Sequence, residues 1–172
     1  MSQLKPPVSN KDHIQGNKNA PLELVEYGDY QCPHCGRAYP IIKEVQQAIG
    51  DNLKFVFRNF PLSEAHPDAF KSAVAAEAAG LQKKFWEMHD IIYENQDQLS
   101  WQDLFLYAEK IGLNMAHFRI DVEKETVIAK VEDDFESGVR SGVNGTPSFF
   151  INGKKYEGDW EYGLEQFLVD LS

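Results

Sequence analysis

The stretch "DYQCPHCGRAYP", Asp29 to Pro40, holds both cysteines of the 172-residue chain, with only Pro33 and His34 between them. A disulfide there would close a tiny loop, and a cross-link constrains the unfolded chain more as the closed loop grows. As a staple the pair would do little. It can also be half of a metal site or a working redox couple. A structural zinc needs four ligands, and beyond the cysteines the chain offers only His13, His66, His89 and His117, without a second paired spacing. A C-x-x-C beside a strand, helix, strand pattern points to redox chemistry.

That pattern surrounds the motif. Before it, "PLELVEYG" (Pro21 to Gly28) is a short apolar run ended by glycine, which suits a strand buried on both faces. From Pro33 onward Ala38, Ile41, Ile42, Val45 and Ile49 recur at helical spacing and Gly50 supplies the stop, so the cysteines sit on the first turn of a helix. "NLKFVFRNFP" (Asn52 to Pro61) reads as the next strand, and a succession of this length implies parallel pairing through a right-handed crossover.

The following eighty or so residues change character. "HPDAFKSAVAAEAAG", "KKFWEMHDIIYE", "SWQDLFLYAEKIG" and "MAHFRIDVEKETVIAKVEDDFESGV" all read as helices, with Pro67 suited to a first helical turn and Ser100 with Asp103 resembling a capping box. The β signal returns after Gly142, where "PSFFING" and "KKYEG" flank Asn152-Gly153, a strong hairpin signal. Glu161 to Leu171 carries Leu164, Phe167, Leu168 and Leu171 on one face and reads as a closing helix. Residues 1–20 read as an irregular lead-in with a short edge strand near His13. The expected organisation is a lead-in and βαβ unit over 1–61, a helical insertion over 62–141 and a ββα unit over 142–172 that completes the same α/β domain.

Composition limits the functions open to this chain. A 42% hydrophobic content fills a sizeable core, and a net charge of -10 repels phosphate backbones and anionic lipid, which argues against nucleic acid as a partner. Asp121 to Glu136 holds seven acids against Lys124 and Lys130 and reads as a solvated helical face. No run has the length of a membrane span or of a secretory signal's apolar core. The expectation is a cytoplasmic protein as the sequence is written, or a periplasmic or otherwise extracytoplasmic one if a signal was removed.

At the tip of a helix, the Cys32 sulfur meets unpaired backbone N–H groups and the positive end of the helix dipole, both of which favour thiolate, the reactive form. Cys35 lies one turn further in. Attack by Cys32 on a client disulfide gives a mixed disulfide that Cys35 can resolve. His34 reads either as a second stabiliser of the thiolate or as an exposed loop histidine, and Pro33 as the residue that shapes the first turn. Glu26, between Val25 and Tyr27 in a buried strand, is costly unless it works or is paired. His66, His89 and Trp86 read as helix caps and packing.

Taken together, the strand before C-P-H-C, the helix it opens, Pro40 within that helix and "GVNGTPSFFING" resemble the DsbA-like thiol-disulfide oxidoreductases of the thioredoxin fold. The likeness extends through "LVEYGDYQCPHC", "FRNFPL", "HPDA" and "FWEMHD", over nearly the whole chain. It implies an exposed nucleophile at Cys32, a resolving thiol at Cys35 and tuning by Pro33 and His34. It also implies a cis-proline at Pro147, whose neighbour Thr146 receives an extended client through main-chain groups. A trans proline that begins a strand is the alternative from local sequence. For Glu26 the resemblance implies proton exchange with the buried thiol; a paired or edge-exposed glutamate is the plainer account.

The implied activity uses no bound cofactor and no metal, and its partners are client proteins with thiols or disulfides and a recycling partner or glutathione. Its direction is open: thiolate stabilisation favours an oxidising couple, while a cytosolic location sets a reducing poise. Two other readings use the same fold. One is a peptide-binding chaperone module in which the thiols are incidental. The other is a glutathione-dependent transferase or isomerase, against which the paired Cys35 counts.

Overall fold

A computed structural model describes residues 2–172. Two largely apolar runs, β2 (Leu22–Gly28) and β3 (Leu53–Asn59), lie side by side in parallel, with Val25 opposite Val56. The helix α1 (Pro33–Ile49) makes the crossover between them. The edge strand β1 (His13–Gly16) runs antiparallel to β3, and β4 (Ser148–Ile151) runs antiparallel to β2 on its other side. A short β5 (Lys154–Lys155) closes the order β1-β3-β2-β4-β5. Asn152 and Gly153 join β4 to β5 with φ of 48° and 82°, the pair of positive values that a two-residue hairpin of this twist requires.

Strand alternation sorts the core into two layers. Leu24, Phe55, Phe57 and Phe149 face α1 and the helices, while Val25, Tyr27, Val56 and Phe150 pack with Leu4, Phe60 and Val143 on the other side. Glu26 shares the α1 face with Leu24, so a carboxylate is set into the larger apolar layer.

Between β3 and β4 run α2 (Ala69–Gly80), α3 (Phe85–Tyr93), α4 (Trp101–Lys110), α5 (Met115–Asp121) and α6 (Glu125–Arg140). The alanines of α2 are buried almost throughout, which lets neighbouring helices approach closely. A reciprocal capping box of Ser100 and Asp103 starts α4. The last helix, α7 (Leu164–Leu171), packs beside α1.

Four local expectations are corrected. Met115 to Val139 is two helices, because the buried apolar positions Phe118, Val122, Val127 and Val131 include a step of five residues, which rotates the stripe off its face unless the axis breaks. Pro67 lies in the turn before α2; the N–H of Asp68 is taken by Gln31 Oε1 at 2.7 Å, and the helix begins at Ala69. Helix α7 begins at Leu164 and buries only Leu164 and Leu168, leaving Phe167 and Leu171 about half exposed. The acid-rich run is not wholly solvated either. Asp134 is buried and accepts from the backbone and side chain of Asn59 at 3.0 and 2.9 Å and from Lys130 at 2.8 Å. Glu77 joins this network through Asn59 and His13, tying α2 and α6 to the sheet.

Candidate active site

The site is built at the C-terminal end of β2. After Gly28 the buried Asp29 carboxylate folds the loop: Oδ1 accepts from the N–H groups of Gln31 and Cys32 at 2.8 and 3.0 Å. Oδ2 accepts from Leu62 N–H at 2.9 Å and lies 2.8 Å from His66 Nδ1. One side chain thus fixes both the motif loop and the segment that leads to α2. From the α3–α4 loop, Gln96 Nε2 donates to the carbonyls of Tyr30 and Cys32, both at 2.9 Å. Gly36 makes room for it, since a Cβ at that position would overlap Gln96 Oε1.

Cys32 stands at the N-cap of α1 in extended conformation, with Pro33 in the first helical position. Its thiol makes no capping bond and is held down to about 5, first by the Cys35 thiol and then by Thr146 and the N–H groups of Cys35 and His34, against the opposing effect of burial. The sulfur is 3.7 Å from the Thr146 carbonyl, and the Thr146 hydroxyl is buried beside it with no hydrogen-bond partner among the described residues. Cys35 has the reverse setting. It is fully buried, and burial pushes its thiol well above the ordinary range, although Asp29 N–H donates to its sulfur at 3.4 Å.

The sequence-derived candidates converge on this end of β2 to different degrees. Cys32 retains only 3% exposure, so the sulfur expected to be exposed is recessed. His34 contributes its backbone N–H, while its ring is exposed and Nδ1 accepts from Arg37 at 2.6 Å; Arg37 is tethered in turn to Glu161 at 3.2 Å. The Thr146–Pro147 bond is cis and brings that loop against Cys32. Glu26 is buried without a cation beside it, and burial, reinforced by negative charge on Cys32, pushes its carboxyl up to about 8.

Three contributors were not foreseen. Asp29 lies inside the quoted motif, and an Asp three residues before a helix N-cap is a recognisable turn former. His66 is a partner of Asp29 and not a helix cap, and Gln96 reaches the motif from 64 residues away with no local signal. His89 and Trp86 do pack: His89 is enclosed by Phe57, Trp86 and Tyr93 and bonds Tyr30 Oη through Nδ1 at 2.9 Å. Among the described residues no three His, Cys, Asp or Glu side chains converge to hold a metal ion. No helix there is long and apolar enough to cross a membrane.

The chain is 45% identical over 160 residues to the Na(+)/H(+) antiporter NhaA 1 of Mycobacterium sp. (strain KMS), a match that covers 92% of this chain and 26% of that protein. It is 39% identical over 157 residues to the NhaA 1 antiporter of Salinispora arenicola (strain CNS-205), covering 91% and 24%. The chain therefore spans about a quarter of the length of these curated relatives.

Among solved structures, a thioredoxin-like oxidoreductase from Silicibacter pomeroyi DSS-3 superposes with a TM-score of 0.83 at 26% identity, over 95% of this chain and 92% of that one. Oxidised BdbD from Bacillus subtilis shares the fold at a TM-score of 0.83 and 22% identity, over 99% and 96%. So does the thiol-disulfide exchange protein alpha-DsbA2 from Wolbachia pipientis, at 0.82 and 20%, over 95% and 89%. The DsbA-like resemblance read from the sequence thus holds as a shared fold. A family model described as thioredoxin matches residues 8–168, nearly the whole chain, and on that match this protein belongs to the thioredoxin family.

Proposed function

We propose that Cys32 and Cys35 are a dithiol-disulfide couple that exchanges with protein or low-molecular-weight disulfides. The observation that carries this reading is the opposed setting of two thiols one helical turn apart, Cys32 down to about 5 and Cys35 well above its ordinary value. At neutral pH one is a thiolate ready to attack and the other a thiol held in reserve. Attack by the Cys32 thiolate forms a bond to one client sulfur and expels the other as thiolate. Cys35, on losing its proton, then attacks Cys32 Sγ, closes the intramolecular disulfide and releases the second client thiol. Two electrons pass from the couple to the client, and oxidation of a dithiol client is the same path reversed.

Stabilising the Cys32 thiolate stabilises the reduced couple and so makes the disulfide the stronger oxidant. This supports the oxidising direction, in a compartment where disulfides persist. Once Cys32 is bonded to a client sulfur, its negative charge no longer opposes ionisation of Glu26, and the ionised fraction of this carboxyl, on the α1 face of β2, is suited to take the Cys35 proton. Pro33 sets the first turn, His34 offers its N–H, and the Thr146 carbonyl beside cis-Pro147 is the main-chain acceptor for an extended client. The helical segment 62–141 serves as the wall beside the couple. Cys32→Ser should abolish insulin reduction and oxidation of a reduced test protein; wild-type rates in that variant would sink the assignment. Equilibration in graded glutathione buffers fixes the direction.

The relatives supply a second, separable reading. Their longer chains are named for Na(+)/H(+) antiport, and we infer on that ground that membrane transport proteins are one client class. A Cys35→Ser variant should retain such clients as mixed disulfides; a trapped set without any membrane protein removes this inference.

A further inference from the structure

An apolar groove of about 630 Å3 lies between the β3–α2 loop and α6. Half-buried Leu62, Phe70 and Phe135 line it, and exposed Glu64, Glu132 and Glu136 form its rim. No cation lines it among the described residues. Lys130 turns inward to Asp134 and Glu77, and Arg140 approaches Glu136 only to 3.9 Å. Glu132 and Glu136 stand four residues apart on one helix, where like charges repel each other.

The groove is fastened to the motif. The Asp29 carboxylate takes the Leu62 N–H on one oxygen and the Cys32 N–H on the other. The motif follows β2, which lies between β3, leading into the groove loop, and β4, which follows the Thr146–Pro147 bond. The groove and the proline loop therefore flank Cys32 on opposite sides.

We propose that this groove docks the cysteine-bearing segment of a client protein through an apolar side chain flanked by Lys or Arg. The assignment rests on the exchange reading of Cys32 and Cys35. Its volume is in the range that encloses a bound group of side-chain or drug size. Charge selects the occupant: a second copy would bring a net charge of -10 and the same three acids to the rim, whereas a basic segment neutralises them. An apolar contact on the groove side and main-chain pairing on the Pro147 side would hold a client cysteine between them, over Cys32.

The test uses the full chain and two fluorescein-labelled peptides of equal length built around leucines, one flanked by Lys and Arg and the other by Glu. Serine replaces cysteine in both, so binding is read by anisotropy without exchange. The basic peptide is expected to bind at least about tenfold more tightly than the acidic one, to weaken with salt, and to lose its advantage in E64K/E132K/E136K. Ala65→Trp, an exposed position within the groove, is expected to weaken the basic peptide through volume alone. Equal affinity for both peptides, or affinity indifferent to both variants, overturns the assignment. So does a dimer in sedimentation that Ala65→Trp dissociates. Exchange of the wild type with a small disulfide is measured in parallel; its absence counts against the exchange reading of the cysteines, which the peptide measurements do not address.

Discussion

Gln96 holds the Cys32 carbonyl at 2.9 Å from a loop 64 residues away, and the same Nε2 holds Tyr30. Gln96→Ala removes both bonds and is expected to cost about 1–3 kcal/mol, read from urea unfolding of the reduced protein. Gly36→Ala drives a methyl into the space of Gln96 Oε1 and should destabilise in the same sense. An unchanged midpoint in both variants would show that the clamp does not hold the motif.

Alkylation of the reduced protein by iodoacetamide should follow a single midpoint near pH 5 at Cys32, with Cys35 unreactive until the chain unfolds. The sign for stability follows from the lowered value. Between about 5 and the ordinary value of 9.0 the unfolded chain holds a proton at Cys32 that the folded chain has released, so the reduced form gains stability with rising pH across that window. The gain is lost as pH falls through 5. A midpoint near 9 for Cys32 alkylation would contradict the site geometry.

Glu26 titrates the other way. Between 4.5 and about 8 the folded chain holds a proton that the unfolded one has released, so this group lowers stability as pH rises through the window. Glu26→Gln should flatten that slope and gain on the order of 1–3 kcal/mol at pH 7 in thermal unfolding. It should also slow the release of client from the mixed disulfide, seen as a longer-lived adduct in quenched reactions. Release at the wild-type rate across pH 6–9 would leave Glu26 only a structural cost.

Thr146→Val removes the hydroxyl beside the Cys32 sulfur while keeping the carbonyl that lies 3.7 Å from it. The alkylation midpoint is expected to move above 5, and the glutathione equilibrium to shift toward a less oxidising couple. Above pH 5 the reduced form should lose stability in step with the raised midpoint, because the folded chain then releases the Cys32 proton less readily. A midpoint that stays in place excludes the hydroxyl from thiolate stabilisation.

Lys130→Met leaves the buried carboxylates of Glu77 and Asp134 without the ammonium between them. Breaking a buried ionic network by removing one partner costs about 3–5 kcal/mol. Loss of that size in denaturant unfolding, partly restored by adding Asp134→Asn, is the expected outcome; additive losses in the double variant would argue against a shared network.

What was legible in the sequence was local. Gly50 stopping α1, Ser100 with Asp103 opening α4 and Asn152-Gly153 turning the hairpin act within a few residues of themselves, and so did the thiol pair. Misreadings came where tertiary partners decide. No glycine or proline punctuates Val122 to Lys124, so the break between α5 and α6 shows only in a five-residue step of the apolar stripe. Asp134 looks like its acidic neighbours until Asn59, 75 residues away, is placed against it. Gln96 and His66 are polar loop residues with no pattern of their own, and their partners exist only once the motif loop has been folded by Asp29.

The strand that leads to the motif is paired on both edges, to β3 and to β4, over Leu24 to Tyr27. A strand secured in this way belongs to the last part of a domain to open, so the loop that carries Cys32 is anchored to an element of that kind, and the sulfur is recessed besides. Disulfide exchange passes through a line of three sulfurs, and under the proposed chemistry a rigid Cys32 leaves that alignment to the client. Loose, partly folded chains can bend their sulfurs into line, and compact ones cannot. Selectivity of this kind would sort clients by how far they have folded before it sorted them by sequence.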